Sequence, residues 1–245
     1  HLTYDAQLDY KTEKVRDALE RIGHLKDVTV RPAIGMDEPW KYRNKAQFPV
    51  GSVKGRPALG FYAARSHNLI NIEQCPIQHE VINRVVSLMR EFIQTYNIPV
   101  YEESTQRGIL RHVVIKVGFR SHQLMVIVVT NGELPRKKEL ISLLRDGLPG
   151  ITSIIQNIQT EKTNVVLGKK SITLWGSDFI LDTIGNLKFR ISPLSFFQVN
   201  PVQTEKLYDK VLEYANLTGK EKVVDAYCGI GTISLFLAGK AAKVY

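Results

Sequence analysis

The stretch VVDAYCGIGTISLFLA, residues 223–238, decides how the rest of the chain is read. Val223 and Val224 read as a buried strand ending in Asp225, Gly229 and Gly231 as a tight turn, and the residues from about Thr232 as an apolar helix. Glycine at two turn positions lets a ligand approach the backbone closely, and the start of the helix offers N–H groups with no partner inside the helix. The dinucleotide fingerprint asks for a third glycine where this chain has Ser234. A ligand without a pyrophosphate, such as S-adenosylmethionine, tolerates a looser turn and can use an acidic residue at the strand end, as Asp225 would be. From these residues alone, an ordinary strand–turn–helix with no ligand stays open.

Outward from the turn, the composition is that of a soluble globular protein. Of 245 residues, 44% are hydrophobic and 23% charged, enough for one large core or two ordinary ones. No stretch approaches eighteen uninterrupted apolar residues, and the opening HLTYDAQLDYKTEK is too charged for a signal peptide. The expectation is a chain with no membrane anchor, in the cytoplasm. Cys75 and Cys228 are the two cysteines, which argues against a disulfide framework. Thirty-three Lys and Arg against twenty-four Asp and Glu leave a formal charge of +9. Such an excess suits a polyanion, nucleic acid first, with a merely solvated basic surface as the alternative.

Along the chain, Tyr4, Leu8, Val15, Leu19 and Ile22 recur at helical spacing before Gly23. RNKAQFPVG and ALGFYAA read as strands joined by the turn SVKGRP, and a helix is expected from about Ile77. Strands follow in GILRHVVIKVG and HQLMVIVVTN, then a helix over Glu133 to Arg145, a strand in ITSIIQNIQ and a further hairpin in SITLWGSDFILDTIGNLKFRIS. The order is that of an α+β fold with a mixed sheet. This region is expected to span residues 1–190, with the first βα unit of an α/β, Rossmann-like domain over 191–245. One βα unit cannot cover its strand on both faces. The second strand barely begins at AAKVY, and His1 stands where a methionine would, so the chain is expected to be incomplete at both ends.

Before the glycine turn lies ISPLSFFQVNPVQTEKLYDKVLEYANL. Asn200 suits an N-cap, Pro201 the first helical position, and Gln203 a capping-box partner. Together SPxSFFQVNPxQxEKLY and DxYCGxGTxSLxLA resemble the RNA uracil-5-methyltransferases that use S-adenosylmethionine. HLTYDAQLDYK, PWKYRNKAQFPVG and EQCPI extend the resemblance over nearly the whole chain, toward the ribosomal RNA branch of that family.

The resemblance implies S-adenosylmethionine as donor, with Gln198, Asp225, Tyr227, Gly229 and Gly231 at its site. It places Phe196 and Phe197 where donor and uracil meet, with core packing as the alternative for both. It implies a partner in ribosomal RNA at a single-stranded or looped uridine, and a monomer. Arg43, Lys45, Lys54, Arg56 and Arg111 are assigned to the RNA path, with a solvated surface as the alternative for each. Cys75 matches the fourth ligand of a four-iron four-sulfur cluster whose other three ligands would precede His1; a buried, unreactive cysteine is the alternative. The family's thiol and general base would follow Tyr245, so no catalytic residue is expected here, and Cys228 is expected to pack, buried, behind the loop. The chemistry implied is formation of 5-methyluridine in 23S ribosomal RNA through a thiol adduct at uracil carbon 6. A non-catalytic RNA-binding module is the alternative; a methyltransferase of proteins or small molecules leaves the basic excess unexplained.

Overall fold

The computed structural model describes residues 2–245, and its chain divides into two compact units, one ending at Trp40 and the other formed by Lys41–Tyr245. In the first unit, Thr3 caps helix α1 (Tyr4–Asp17), its hydroxyl accepting from the Ala6 amide. The last turns widen into a π-helix over Ala18–Ile22 that ends at Gly23. The segment after it returns along the helix, with the Ala33 amide donating to the Thr12 hydroxyl at 2.9 Å and the Met36 amide to the Tyr4 hydroxyl at 2.7 Å.

The second unit is built on a seven-stranded mixed sheet. Its strands are β1 (Lys45–Val53), β2 (Arg56–Tyr62), β3 (Leu69–Asn71), β4 (Leu110–Val117), β5 (Leu124–Thr130), β6 (Ile151–Ile158) and β7 (Lys170–Gly176), in the order β3-β2-β1-β4-β5-β6-β7. Only β5 and β6 run parallel; the other neighbours are antiparallel. Lys54 and Gly55, both at positive φ, make the tight β1–β2 turn, a backbone whose twist matches the flanking strands.

Every residue of β5, LMVIVVT, is buried. Side chains alternate across a strand, so Leu124, Val126 and Val128 enter one apolar cluster and Met125, Ile127 and Val129 the other. The first face is covered by α2 (Glu80–Thr95) and α3 (Lys137–Gly147), through Val85, Met89, Phe92, Leu140 and Leu144. The opposite face is covered by the hairpin β8 (Ile180–Ile184) with β9 (Leu187–Ile191) and by α4 (Pro201–Ala215), which supplies Tyr208. The chain ends in a βαβ unit: β10 (Lys222–Val223), α5 (Thr232–Ala238) and β11 (Lys243–Val244), with the two strands parallel. Ile233 and Phe236 of α5 pack onto the second cluster, and Phe236 meets the Tyr208 ring edge-on at 5.0 Å.

Three boundaries differ from expectation for local reasons. Helix α2 begins at Glu80, not Ile77, because Ile77 and Gln78 are held extended beside Arg43, whose amide donates to the Ile77 carbonyl. Helix α3 begins at Lys137, not Glu133, because Pro135 disfavours the helical conformation at Leu134 and Arg136 turns left-handed. The hairpin expected over residues 171–192 is three strands, of which β7 joins the large sheet and β8–β9 form the cover. Among the described residues no helix is long and apolar enough to cross a membrane.

Candidate functional site

The segment Ser192–Asn200 leads from the covering hairpin into α4 and carries most of the expected site. Asn200 accepts from the Gln203 amide at 3.1 Å, and Pro201 occupies the first turn, as its fixed φ and missing N–H favour. Phe197 is buried, its ring 5.7 Å from Phe189, and so serves the core; the alternative reading of this residue is the one its burial fits. Phe196, its neighbour, is 62% exposed and free to meet a ligand.

Strands β1 and β4 hold this segment from below. Asn44 donates from its amide nitrogen to the Gln198 carbonyl at 2.9 Å and from its backbone to the Val199 carbonyl at 3.0 Å. Lys116, buried, donates to the carbonyls of Ser192 and Ser195 at 2.7 and 2.8 Å. Lys45 lies directly across the ladder from Lys116. Burial, and then the Lys45 charge, push the Lys116 ammonium down to about 7. Lys45 is itself lowered, by its own burial and then by Arg43.

The glycine turn is open. Gly229 (φ +56°) and Gly231 (φ +78°) occupy the left-handed region, and a side chain at either would meet nothing within 4 Å, so backbone conformation, not packing, asks for glycine there. Tyr227 is 97% exposed. The Asp225 carboxylate braces the turn from within: one oxygen accepts from the Tyr227 amide at 3.3 Å, the other from the Ser234 hydroxyl at 2.6 Å. Ser234, which breaks the dinucleotide spacing, thus has a partner that a third glycine would lack. Tyr208 of α4 and Thr232 at the start of α5 share a hydrogen bond of 2.8 Å, which ties the turn to the helix that follows Gln198.

Two expectations are corrected. Cys228 is exposed and not packed behind the loop, because the turn projects away from the core. Arg111 is 5% exposed; its guanidinium donates to the carbonyls of Gln159 and Glu161 at 2.7 and 2.9 Å and lies 4.4 Å from the Tyr101 ring centroid. Its charge is committed internally and does not line a surface path. Cys75 is partly buried, its amide and carbonyl both bonded to the Asn83 side chain, and no group of three or more His, Cys, Asp or Glu able to hold a metal occurs among the described residues. These residues give the iron–sulfur possibility no support.

Arg43 and Lys45 do reach a surface depression. With Gln47, Phe61, Gln78 and Val199 they line a cleft of about 380 Å³. Two neighbouring cations beside an exposed ring favour an anionic and aromatic ligand. Phe61 and Gln78 carry no signal in the sequence, because they reach Arg43 and Lys45 only through the fold.

No family model matches the chain. The whole chain is 53% identical over 246 residues to a protein of Clostridium tetani named an uncharacterized RNA methyltransferase, of which it covers 53%. It is 53% identical over 246 residues to one of Halalkalibacterium halodurans with the same description, covering 54%, and 42% identical over 247 residues to one of Staphylococcus aureus, again covering 54%. The chain thus spans about half the length of the curated relatives it matches. Among solved structures, the Pyrococcus abyssi tRNA (uracil-54, C5)-methyltransferase in complex with S-adenosyl-L-homocysteine matches 98% of this chain and 55% of its own, with a TM-score of 0.75 and 27% identity.

The Lys116 tether has a measurable signature. Its ammonium has a value of about 7 when folded and about 10.4 when unfolded. The folded state therefore binds fewer protons between those values, and stability rises with pH across that window; the cost of burying the charge is fully present below about pH 7. Denaturant titrations from pH 7 to 10 should show wild-type stability gaining on that of Lys116→Met by up to about 1.4 kcal/mol per pH unit. A difference that does not change with pH would mean that Lys116 is not held at a depressed value.

Proposed function

The chain belongs over its whole length to the RNA methyltransferase family, and from that premise we propose that the protein methylates carbon 5 of uracil in RNA, with S-adenosylmethionine as donor. The observation that carries this reading is the likeness of nearly the entire chain to a uracil-C5 methyltransferase whose structure holds the spent donor. The open glycine turn supports it: the exposed Tyr227 and unobstructed Gly229 and Gly231 leave room for an adenosyl ligand, and Gln198 sits on the tethered segment before α4. When bound, the donor supplies an electrophilic methyl group.

In this reading residues up to about 190 read the RNA and 191–245 begin the donor-binding domain. Gln198, Asp225, Tyr227, Gly229 and Gly231 hold the donor, Asp225 by fixing the turn, and Phe196 offers a face to the uracil. Uracil carbon 5 is a weak nucleophile, so a thiolate adds at carbon 6, the resulting enolate takes the methyl, and a base removes the carbon 5 proton as the thiol departs. We assign the thiol and the base to residues outside this chain, and the substrate to ribosomal RNA of the cytoplasm. The target base must be unstacked to be reached, so a loop or single strand is the expected substrate.

Arg43 and Lys45 carry RNA phosphate in this reading and Arg111 does not. With single-stranded RNA, log affinity against log salt should flatten by about 1.4 units when Arg43 and Lys45 are both changed to Gln, at roughly 0.7 per phosphate contact. Arg111→Gln should leave that slope alone and instead lower stability by about 1–3 kcal/mol, since it strips the buried Gln159 carbonyl and the Glu161 carbonyl of their donor. A slope altered by Arg111→Gln but not by the double variant would reverse the assignment. Separately, Gln198→Ala and Tyr227→Ala in the full-length protein should each weaken S-adenosylmethionine binding by calorimetry. Unchanged affinity in both would remove these residues from the donor site.

A further inference from the structure

The cleft beside β1 contains one feature that phosphate binding leaves unexplained. Gln78 is 2% exposed, lines the cleft, and its side-chain oxygen has no hydrogen-bond partner. A buried amide without a partner is costly, and native structures keep few of them. The Gln78 backbone is fixed: its N–H donates to the Cys75 carbonyl at 3.2 Å, and the flanking Ile77 and His79 pair with Arg43 through backbone bonds of 2.9 and 3.0 Å.

Phe61, on the same cleft, is 40% exposed, and its ring is backed by the buried Phe48 at 5.3 Å. A ring fixed on one side and open toward a cleft is a stacking platform. The cleft volume falls within the range of small-ligand sites. Phosphate would satisfy Arg43 and Lys45 but neither Phe61 nor the Gln78 amide oxygen, which needs a donor.

We infer that this cleft is a nucleobase subsite: Phe61 stacks one base of the RNA, the amides of Gln78 and Gln47 read that base's polar edge, and Arg43 and Lys45 take its phosphate. The inference rests on the RNA-methylation reading and deepens it. Val199 lines the cleft and directly follows Gln198, so the base read here is a neighbour of the target nucleotide, not the target itself. An amide presents both a donor and an acceptor and discriminates bases by the pattern of their edges. The subsite would thus contribute to which uridine is chosen.

The test is fluorescence anisotropy at fixed salt with the full-length protein and short labelled homopolymers of A, C and U. Wild type should rank the three. Phe61→Leu, at a half-exposed position, should weaken binding to all of them by about fivefold to a hundredfold, the range that loss of base stacking spans. Gln78→Met should compress the ranking while leaving the thermal midpoint unchanged or raised, because the amide it removes had no partner. The subsite is overturned if both variants keep wild-type affinity and ranking, or if Gln78→Met lowers the midpoint and leaves binding untouched, which would make the amide structural. In either case wild type still binds RNA, so the broader reading survives. If wild type binds none of the homopolymers, that reading falls and the subsite with it.

Discussion

Strand β5 sets the terms for the rest of the second unit. Its residues Leu124–Val129 are apolar on both faces, and a strand of that kind is stable only when both faces are covered. The amphipathic helices α2 and α3 meet the demand on one side. On the other side the chain must provide a second cover, and it does so with the β8–β9 hairpin, Phe197 and Tyr208. The segment between hairpin and helix is therefore drawn across the β1–β4 end of the sheet, where Lys116 and Asn44 fasten its carbonyls. The position of Gln198 follows from the need to bury β5.

The same geometry sorts the positive charges into two kinds. Lys116 and Arg111 are turned inward and spent on backbone carbonyls, so they hold structure together and contribute little to an outward field. Arg43 and Lys45 face a cleft with an exposed ring. A formal charge of +9 counts both kinds alike, which is why composition points to a polyanion without locating where it binds.

Much of the fold was legible because its signals are local. The periodicity of VINRVVSLMREFI, the apolar run LMVIVV of β5 and the Asn200–Pro201 cap each depend on neighbours a few residues away. What was not legible depends on partners far along the chain. Arg111 looks like any arginine beside a strand, and only the approach of Gln159 and Glu161 buries it. Cys228 looks like a small core residue, yet the turn that carries it projects outward. Asp182 gives no sign in LDTIG that its carboxylate will accept the amides of Phe119 and Arg120, a link across more than sixty residues that joins the covering hairpin to the β4–β5 loop. Gln78 and Phe61 become neighbours only when β2 and the segment before α2 meet at β1. For the candidate site, the glycine turn and the Asn200–Pro201 cap could be read in the sequence and the cleft beside β1 could not.

The proposed activity, transfer of a methyl group to carbon 5 of uracil in RNA, draws together the open turn, the tethered Gln198 segment and the basic, aromatic cleft. Nucleoside mass spectrometry of ribosomal RNA from a strain lacking the gene tests that claim most directly. The account requires a loss of 5-methyluridine relative to the parent strain, restored by a plasmid copy of the complete gene. An unchanged 5-methyluridine content, or a deficit confined to another methylated nucleoside, would contradict it.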